Sequence, residues 1–595
     1  MPLISTVLNT FILILIDMRI LLIIILCSTL CFLSCTSTQP GIPPPTKALV
    51  QIAIPRVNEM PDMPAPYAMK DWRKTALDFD KYVYNFEEKG EFRPFIWIDS
   101  MKRNFPQNTF GLYTAIGDIR EGPTVNDGEN HEAIGALGSI IGATLVGVDK
   151  ANQNGMNYVE MTKNFFNKDN GWNVIMNFTS KKAHIGGGYG NDYWYDIYNN
   201  VLFYGMANYY PKVNGIEDLQ RKIADQFLTS ALLLKDNYSY SYFDFDKMKG
   251  GTNHIPTQED VAAGYAFVLY SAYIKFKEEK YLKGAEMALH ALQNQKENRN
   301  YELFMPFGAY LAARLNAELG KDYDVLKFLN WTFDGTSVNR DGWGVLTGRW
   351  NGYDISGLYG STKDKGGYGF AMNTFDLTWP LLPMVRYDQR YAASIAKWLL
   401  NASNASRLFY PYDIPDSLQA LPGKKAITNN VIAYEGIVQH PTIKGFEHRS
   451  PFAQGDGPLW ASGMPDETMF SIYGSGHVGF FGGIIHPTEK EGVLMVDCLA
   501  TDMYRKNDAY PTYLIYNPHN DNVSLRLPVD SKDNRLYDAV SQKFISNVNY
   551  ENKVLKLSPK QTMVLIFVPP NSKFSVQQNK LFANGVIIDY HYSDK

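Results

Sequence analysis

A chain of 595 residues is longer than one hydrophobic core can organise, so it predicts several domains. With 45% hydrophobic and 20% charged residues it has the composition of a globular protein, which excludes a disordered or fibrous one. A net charge of −4 gives no basic field; nucleic acid is excluded as a partner, and any anionic ligand must be met by local Arg, Lys and His.

Met18-Arg19 and the apolar run 20–30, followed by Phe32-Leu33-Ser34-Cys35, have the form of a signal peptide ending in a lipobox, with Met18 as the natural start. The expectation is a lipid on Cys35 and an outer-membrane lipoprotein facing the surface or the periplasm. Residues 36–66, Pro-rich at 39–45, then form a tether. Cys27 and Cys31 leave with the signal, so Cys498 is the one thiol left besides the lipidated one. This leaves no disulfide and no Cys-based metal site, and no cofactor or metal is called for.

From 71 to 402 apolar residues recur at helical spacing. The pattern predicts helices over 71–85, 131–148, 156–166, 196–210, 216–234, 258–277, 281–293, 303–319, 322–332, 374–386 and 389–402. So many helices joined by polar or Gly-rich connectors suggest helical hairpins closed into an (α/α) toroid over 67–404. The connectors at one end of such a ring build its cleft. His254 in Gly250-Gly251-Thr252-Asn253-His254 is a candidate cleft residue. So is the loop with Arg340, Trp343 and Arg349, since Arg forks to a carboxylate and Trp stacks on a sugar. After Asn404 short alternating runs near 493–496, 513–516, 523–527, 554–557 and 563–568 predict an antiparallel β-sandwich over 405–595. Gly474-Ser475-Gly476-His477-Val478-Gly479 spells a dinucleotide fingerprint, but strands rather than a helix are predicted around it, so the βαβ context is missing.

Two polar clusters stand at predicted helix entries: Glu129-Asn130-His131-Glu132, and His184 to Asp192, which contains Tyr189 and precedes Trp194. Tyr189 follows His131 by 58 residues, so one helical hairpin can return the chain to the same rim. An amide, two imidazoles and a phenol around one sugar suit β-elimination at a 4-linked uronate. Asn130 and His131 would neutralise the substrate carboxyl, while His184 and Tyr189 would move protons. This set resembles the (α/α)-toroid lyases of alginate and heparinoids, and the His-Tyr-Gly part is similar to chondroitin and hyaluronan lyases. The whole chain resembles the uronate polysaccharide lyases of marine Bacteroidetes, ulvan lyases among them. The resemblance implies an anionic polysaccharide substrate, with Asn130, His131, His184 and Tyr189 as the catalytic residues.

Two other readings stay open. A toroid glycoside hydrolase would need only a different pair from Glu129, Glu132, Asp192, Asp196 and Asp341. A non-catalytic glycan-binding lipoprotein would need neither.

Overall fold

The computed structural model describes residues 49–122, 130–180, 185–186, 190–460, 463–527, 534–546, 548–549 and 554–592. Six helical layers form a ring, and burial separates its inner members from its outer ones. The inner helices are α2 (Ala133–Leu145), α3 (Tyr193–Tyr209), α5 (Val261–Phe276), α7 (Met305–Leu319), the consecutive α9 (Ala371–Asp376) and α10 (Thr378–Tyr387), and the consecutive α12 (Ile472–Gly476) and α13 (Gly479–Ile484). Each packs on the next, and α12 and α13 return to α2, which closes the ring. α5 is buried almost all round, as a helix with neighbours on every side must be.

The outer helices are α1 (Trp72–Val83), α4 (Ile216–Leu234), α6 (Glu279–Gln293), α8 (Val325–Phe333) and α11 (Ala392–Ala405), with a short helical segment at 158–166. α6 buries one stripe, hiding Tyr281, Ala285, Ala288, Leu289 and Leu292 and keeping its charged residues outside, whereas α11 is buried nearly all round between the ring and the following sheet. Among the described residues no helix is long and apolar enough to cross a membrane. The ring therefore extends beyond Asn404, where the change of pattern suggested its end, because its sixth layer is supplied by 472–484.

That closing layer is the dinucleotide-like stretch, and its glycines have a packing reason. A Cβ on Gly138 would lie 2.0 Å from His477 Nε2, and one on Gly479 would lie 2.2 Å from the Cα of Gly142. The helices cross with almost no space between their backbones, so the expectation of strands here is corrected to two short helices. His477 is fully buried at the crossing, with Nδ1 2.6 Å from Asp376 Oδ1 and Nε2 3.2 Å from the carbonyl oxygen of Ile134.

The β part begins at 485. Six antiparallel strands run in the spatial order 485–487, 494–497, 512–516, 562–568, 535–538, 543–544, beside a three-stranded sheet of 523–526, 554–557 and 548–549. Met495, Ile515, Met563, Leu565 and Phe567 point to a core shared with Leu525, Leu555 and Leu557 of the smaller sheet. The alternate residues Leu494, Val496, Leu514, Val564, Ile566 and Val568 join the toroid core. Both faces of the central strands are therefore covered. The architecture is the (α/α) toroid followed by an antiparallel sandwich.

A connection from this sheet also seals one end of the ring. Thr501 Oγ1 donates to the Trp379 carbonyl at 2.9 Å, and Tyr209 donates to the Ala500 carbonyl. Arg314 donates to the carbonyls of Met503 and Tyr504, while Asp502 is buried against Arg386, Tyr310 and Tyr387. This connection covers the C-terminal ends of α3, α7 and α10, and the loops that enter the inner helices gather at the other end.

Candidate functional site

Every inner helix is entered at the open end by a loop carrying acidic or hydroxyl side chains. Glu132 is the residue before α2 and holds a left-handed backbone (φ 50°, ψ 65°), unusual for a residue with a side chain. Its carboxylate is almost fully buried; Oε1 accepts from Tyr195 Oη at 2.5 Å and Oε2 from Thr114 Oγ1 at 2.8 Å. Thr114 Oγ1 also lies 2.6 Å from Glu121 Oε1, and Glu121 Oε2 accepts from the Thr114 backbone N–H at 2.7 Å. One hydroxyl has one proton, so it can donate to only one of the two carboxyls, and the other contact needs a carboxylic acid proton. Glu121 is the better holder of it. Burial, and then the charges of Asp118 and Glu132, raise its carboxyl well above the usual range. Glu132 is raised by burial too, but the Tyr195 and Thr114 hydroxyls and Arg120 pull it back.

A second carboxyl pair sits across Tyr473. Strand residues Phe470-Ser471 pair with Ala433-Tyr434 on one side and bridge to Ala115 on the other, and the Tyr473 N–H donates to the Thr114 carbonyl at 3.0 Å. Tyr473 Oη donates to Glu435 Oε1 at 3.0 Å, while Glu435 Oε2 accepts the Asp456 backbone N–H at 2.7 Å. Glu435 is buried, and burial together with the Asp456 carboxylate beside it pushes its carboxyl well up. Asp456 is exposed, yet protein surrounds it. Its carboxyl is raised by the surrounding protein and drawn back by Glu435 and by Lys365, Arg120 and Arg340, cations brought from three separate loops. The pair thus holds a proton on or beside an oxygen that solvent can reach.

The third part is a wall built on α7, α3 and α9. Glu302, just ahead of α7, is paired with Arg340 through one oxygen and accepts from Asn373 Nδ2 at 2.6 Å through the other. The guanidinium carbon of Arg340 lies over Trp343, 3.4 Å from its ring centre, and Trp343 Nε1 donates to the Glu302 carbonyl at 2.7 Å. Asp192, before α3, accepts from Gln258 Nε2 at 2.8 Å. Burial first, and the charge of Glu302 after it, lift its carboxyl to about 7. Tyr368 stands between these groups, its hydroxyl in the field of Glu435, Asp456, Arg340 and Glu302.

The residues predicted to form the site are distributed differently from the expectation. His131 is fully buried beneath the rim, with Nε2 3.1 Å from Asp99 Oδ2 and its ring stacked on Trp97 at 4.7 Å. Asn130 accepts the Glu132 N–H through Oδ1 at 3.2 Å, holding the turn into α2. Glu129, His184 and Tyr189, like Cys35, lie outside the described residues. Arg340 reaches the cleft, but Trp343 beneath it is fully buried and cannot stack on a sugar. Trp194 is nearly buried against Tyr195. His254 is exposed on a rim loop, and Arg349 is held on its own hairpin by the Gly352 carbonyl. Asp196 is buried in the first turn of α3, and exposed Asp341 pairs with Lys363. Glu121, Glu302, Glu435, Asp456 and Tyr473 were not predicted. The available signal was a carboxyl residue at a helix-entry loop, which Glu302 and the Gly-flanked Asp456 both show.

The fold and the site together define an (α/α) toroid whose open end is a carboxyl-lined cleft. No protein-family model matches the chain, and no curated protein matches it. Among solved structures it is similar to a GH127 β-L-arabinofuranosidase from Geobacillus stearothermophilus T6, at 11% identity and a TM-score of 0.32, over 88% of this chain and 85% of that one. It is similar also to a GH127 β-arabinofuranosidase (10%, TM-score 0.30, 76% and 74% covered) and to a further glycoside hydrolase (11%, 0.32, 76% and 77%). At these scores the likeness carries no chemistry, which has to be read from the site. These neighbours are hydrolases, not lyases. The site agrees in its own right: His131 is sealed away from any uronate carboxyl, and Asn130 is spent on a backbone turn. The β-elimination reading, with its ulvan and uronate lyase resemblance, is therefore corrected.

Proposed function

We propose that the protein is a glycoside hydrolase. The observation that carries this reading is the Glu435–Asp456 pair: two neighbouring carboxyls, joined through the Asp456 backbone N–H and both raised above the usual carboxylate range by the surrounding protein, Glu435 buried and Asp456 exposed. Glycosidic cleavage needs a carboxylic acid to protonate the leaving oxygen and an ionised carboxylate to assist water or to attack. Glu435, raised the more of the two, holds the resting proton, exposed Asp456 is the partner that relays it to the cleft, and Tyr473 fixes Glu435 by its hydrogen bond. The other carboxyls of the cleft supply the negative charge that faces the oxocarbenium-like transition state. Within the same proposal, lipidation at Cys35 would hold the enzyme on the outer membrane.

The test is Asp456→Asn assayed on a panel of polysaccharides and aryl glycosides, with products followed by proton NMR. Loss of the acid should lower kcat by about a hundredfold or more on ordinary glycosides, the scale of a missing general acid. It should matter much less on aryl glycosides whose leaving groups need no proton. A variant that keeps more than a tenth of its activity on both would overturn the assignment.

A further inference from the structure

The first described residues of the chain lie at the sealed end of the ring. Gln51 Nε2 donates to the Gln389 carbonyl at 2.9 Å and the Ile52 N–H to the Arg390 carbonyl at 2.7 Å, in the turn that joins α10 to α11. The Ala393 N–H donates in return to Gln51 Oε1 at 3.0 Å, and the Ile54 N–H donates to Ser394 Oγ at 3.2 Å. From there residues 52–68 lie as a strap against α11. Asn401 Nδ2 donates to the Pro61 carbonyl at 2.9 Å, and Asn404 accepts the Ala68 N–H and donates to the Pro66 carbonyl. Asp62 pairs with Lys397 of α11 and with Lys560 of the sandwich, so the strap is tied to both parts of the molecule. Leu49 and Val50, at its head, therefore stand beside the C-terminal end of α10, where Val50 is 67% exposed.

The cleft lies at the other end of the same helices. α9 and α10 together span 371–387, about 25 Å at 1.5 Å per residue, and the loops that carry Glu302, Arg340 and Asp456 stand beyond the first turns. Cys35 precedes Leu49 by fourteen residues, which reach about 50 Å at full stretch. To bring the cleft to a bilayer that holds Cys35, half of that reach would be spent in passing the helices and more in passing the entry loops. Nearly every link would then be fixed in one extended path, which costs conformational entropy at each. With the sealed end towards the bilayer there is no such cost. We propose that the sealed end is the membrane-facing surface of the protein, its partner a lipid surface, and that the anchored chain presents its cleft outwards. The enzyme then meets polysaccharide arriving from the medium rather than glycans rooted in the same bilayer. The inference rests on the lipid anchor and the open-end cleft of the hydrolase reading, and not on the chemistry within that cleft.

The experiment uses the full chain, acylated in a bacterial host and reconstituted on vesicles of phosphatidylethanolamine and phosphatidylglycerol that carry an energy-transfer acceptor on a headgroup. A donor dye is placed on Lys506→Cys, in the exposed part of the connection that seals the ring, or on Val338→Cys, 53% exposed in the loop ahead of Arg340. Cys498 is buried and burial pushes its thiol far up, so it does not take the label. Transfer from the Lys506 site should exceed that from the Val338 site at least about twofold, since about 25 Å of helix separates the two ends. Cys35→Ser should abolish transfer from both. Equal transfer from the two sites, or stronger transfer from Val338, would overturn the proposal. So would a membrane-extracted protein whose mass shows no acyl chain on Cys35, or transfer that survives Cys35→Ser, because the tether then does not set the orientation. The readout needs no turnover. The expected order in a protein that hydrolyses nothing would refute the hydrolase reading alone, and an active hydrolase with the reverse order would refute this inference alone.

Discussion

The sharpest consequence of the cleft geometry concerns one proton. Thr114 Oγ1 lies between Glu121 and Glu132 and can donate to one of them only, so the chain of hydrogen bonds has a direction: Glu121 to Thr114 to Glu132, with Tyr195 donating to Glu132 from the far side. Glu121→Gln places an amide N–H where the acid proton is and keeps an oxygen to accept from the Thr114 backbone, so all partners stay paired. It should change stability by less than about 0.5–1 kcal/mol, within the range of a harmless substitution. Thr114→Val keeps the volume but removes the link, leaving Glu121 without an acceptor and Glu132 short of a donor, both buried. At about 1–3 kcal/mol for each of the two unpaired groups, the loss should be about 2–6 kcal/mol. Guanidinium unfolding of the full chain, followed at the helical far-UV signal, measures both. Difference infrared spectra should show a carboxylic acid C=O band at neutral pH that disappears in Glu121→Gln. If Glu121→Gln is as damaging as Thr114→Val, Glu121 is ionised and the proton assignment is wrong.

At the sealed end, Asp502→Ala would strand Arg386 and unpair Tyr310 and Tyr387, so it should cost about 3–5 kcal/mol in the same melts; a loss below about 1 kcal/mol would show that the plug is not held by this pair. Gly138→Ala puts a methyl group into the His477 ring and should destabilise by about 1–3 kcal/mol, whereas alanine at exposed Gly423, which has open space, should be nearly neutral. Asp192 and Asp260 titrate near 7 in the folded chain against 3.8 for the free group, so the native state holds the extra protons. Their contribution is therefore present at low pH and lost as pH rises from about 4 to about 7, by at most about 4 kcal/mol for each group. Melting temperature against pH should show this decline, and Asp192→Asn should remove part of it; an unchanged slope in the variant would contradict the assignment.

The toroid was legible in the sequence because its outer helices carry a clear stripe and its inner ones are long apolar runs bounded by polar connectors. The predicted 216–234 is α4 itself, and 281–293 begins two residues inside α6. The sandwich strands were legible for a similar reason, with 554–557 observed as predicted. The sixth layer was not, since α12 and α13 are only five and six residues long and rich in glycine, a composition that reads as turn when the partner glycines of α2 are not known to face it. The site was misread for a related cause. Asn130 and His131 look functional because polar residues at a helix entry are conspicuous, but the adjacent αL residue Glu132 turns its carboxyl towards Thr114 and Tyr195 while His131 is buried against Asp99. Which of two neighbouring polar side chains faces the cleft is decided by one backbone turn. Asp456 lies more than three hundred residues from Glu121, and only the pairing of 470–471 with both 433–434 and Ala115 brings their loops together.

Helix direction explains why the inner helices themselves carry carboxyls at their first turns and guanidinium groups towards their last. All inner helices begin at the open end, where unpaired N–H groups and the positive ends of the helix dipoles converge, and there Glu132, Asp192, Asp260 and Glu302 stand at or just before the first turns. At the opposite end Arg314 lies in the last turns of α7 and Arg386 at the end of α10, each meeting carbonyl oxygens or Asp502 of the plug. Exchanging the two sets would put cations on positive helix ends and acids on negative ones. The cleft can therefore keep several carboxyls close together because the backbone around them favours negative charge, while burial forces some of them to hold protons. Glycosidic hydrolysis needs this combination, an acid that is protonated and a carboxylate that is not, within reach of one sugar.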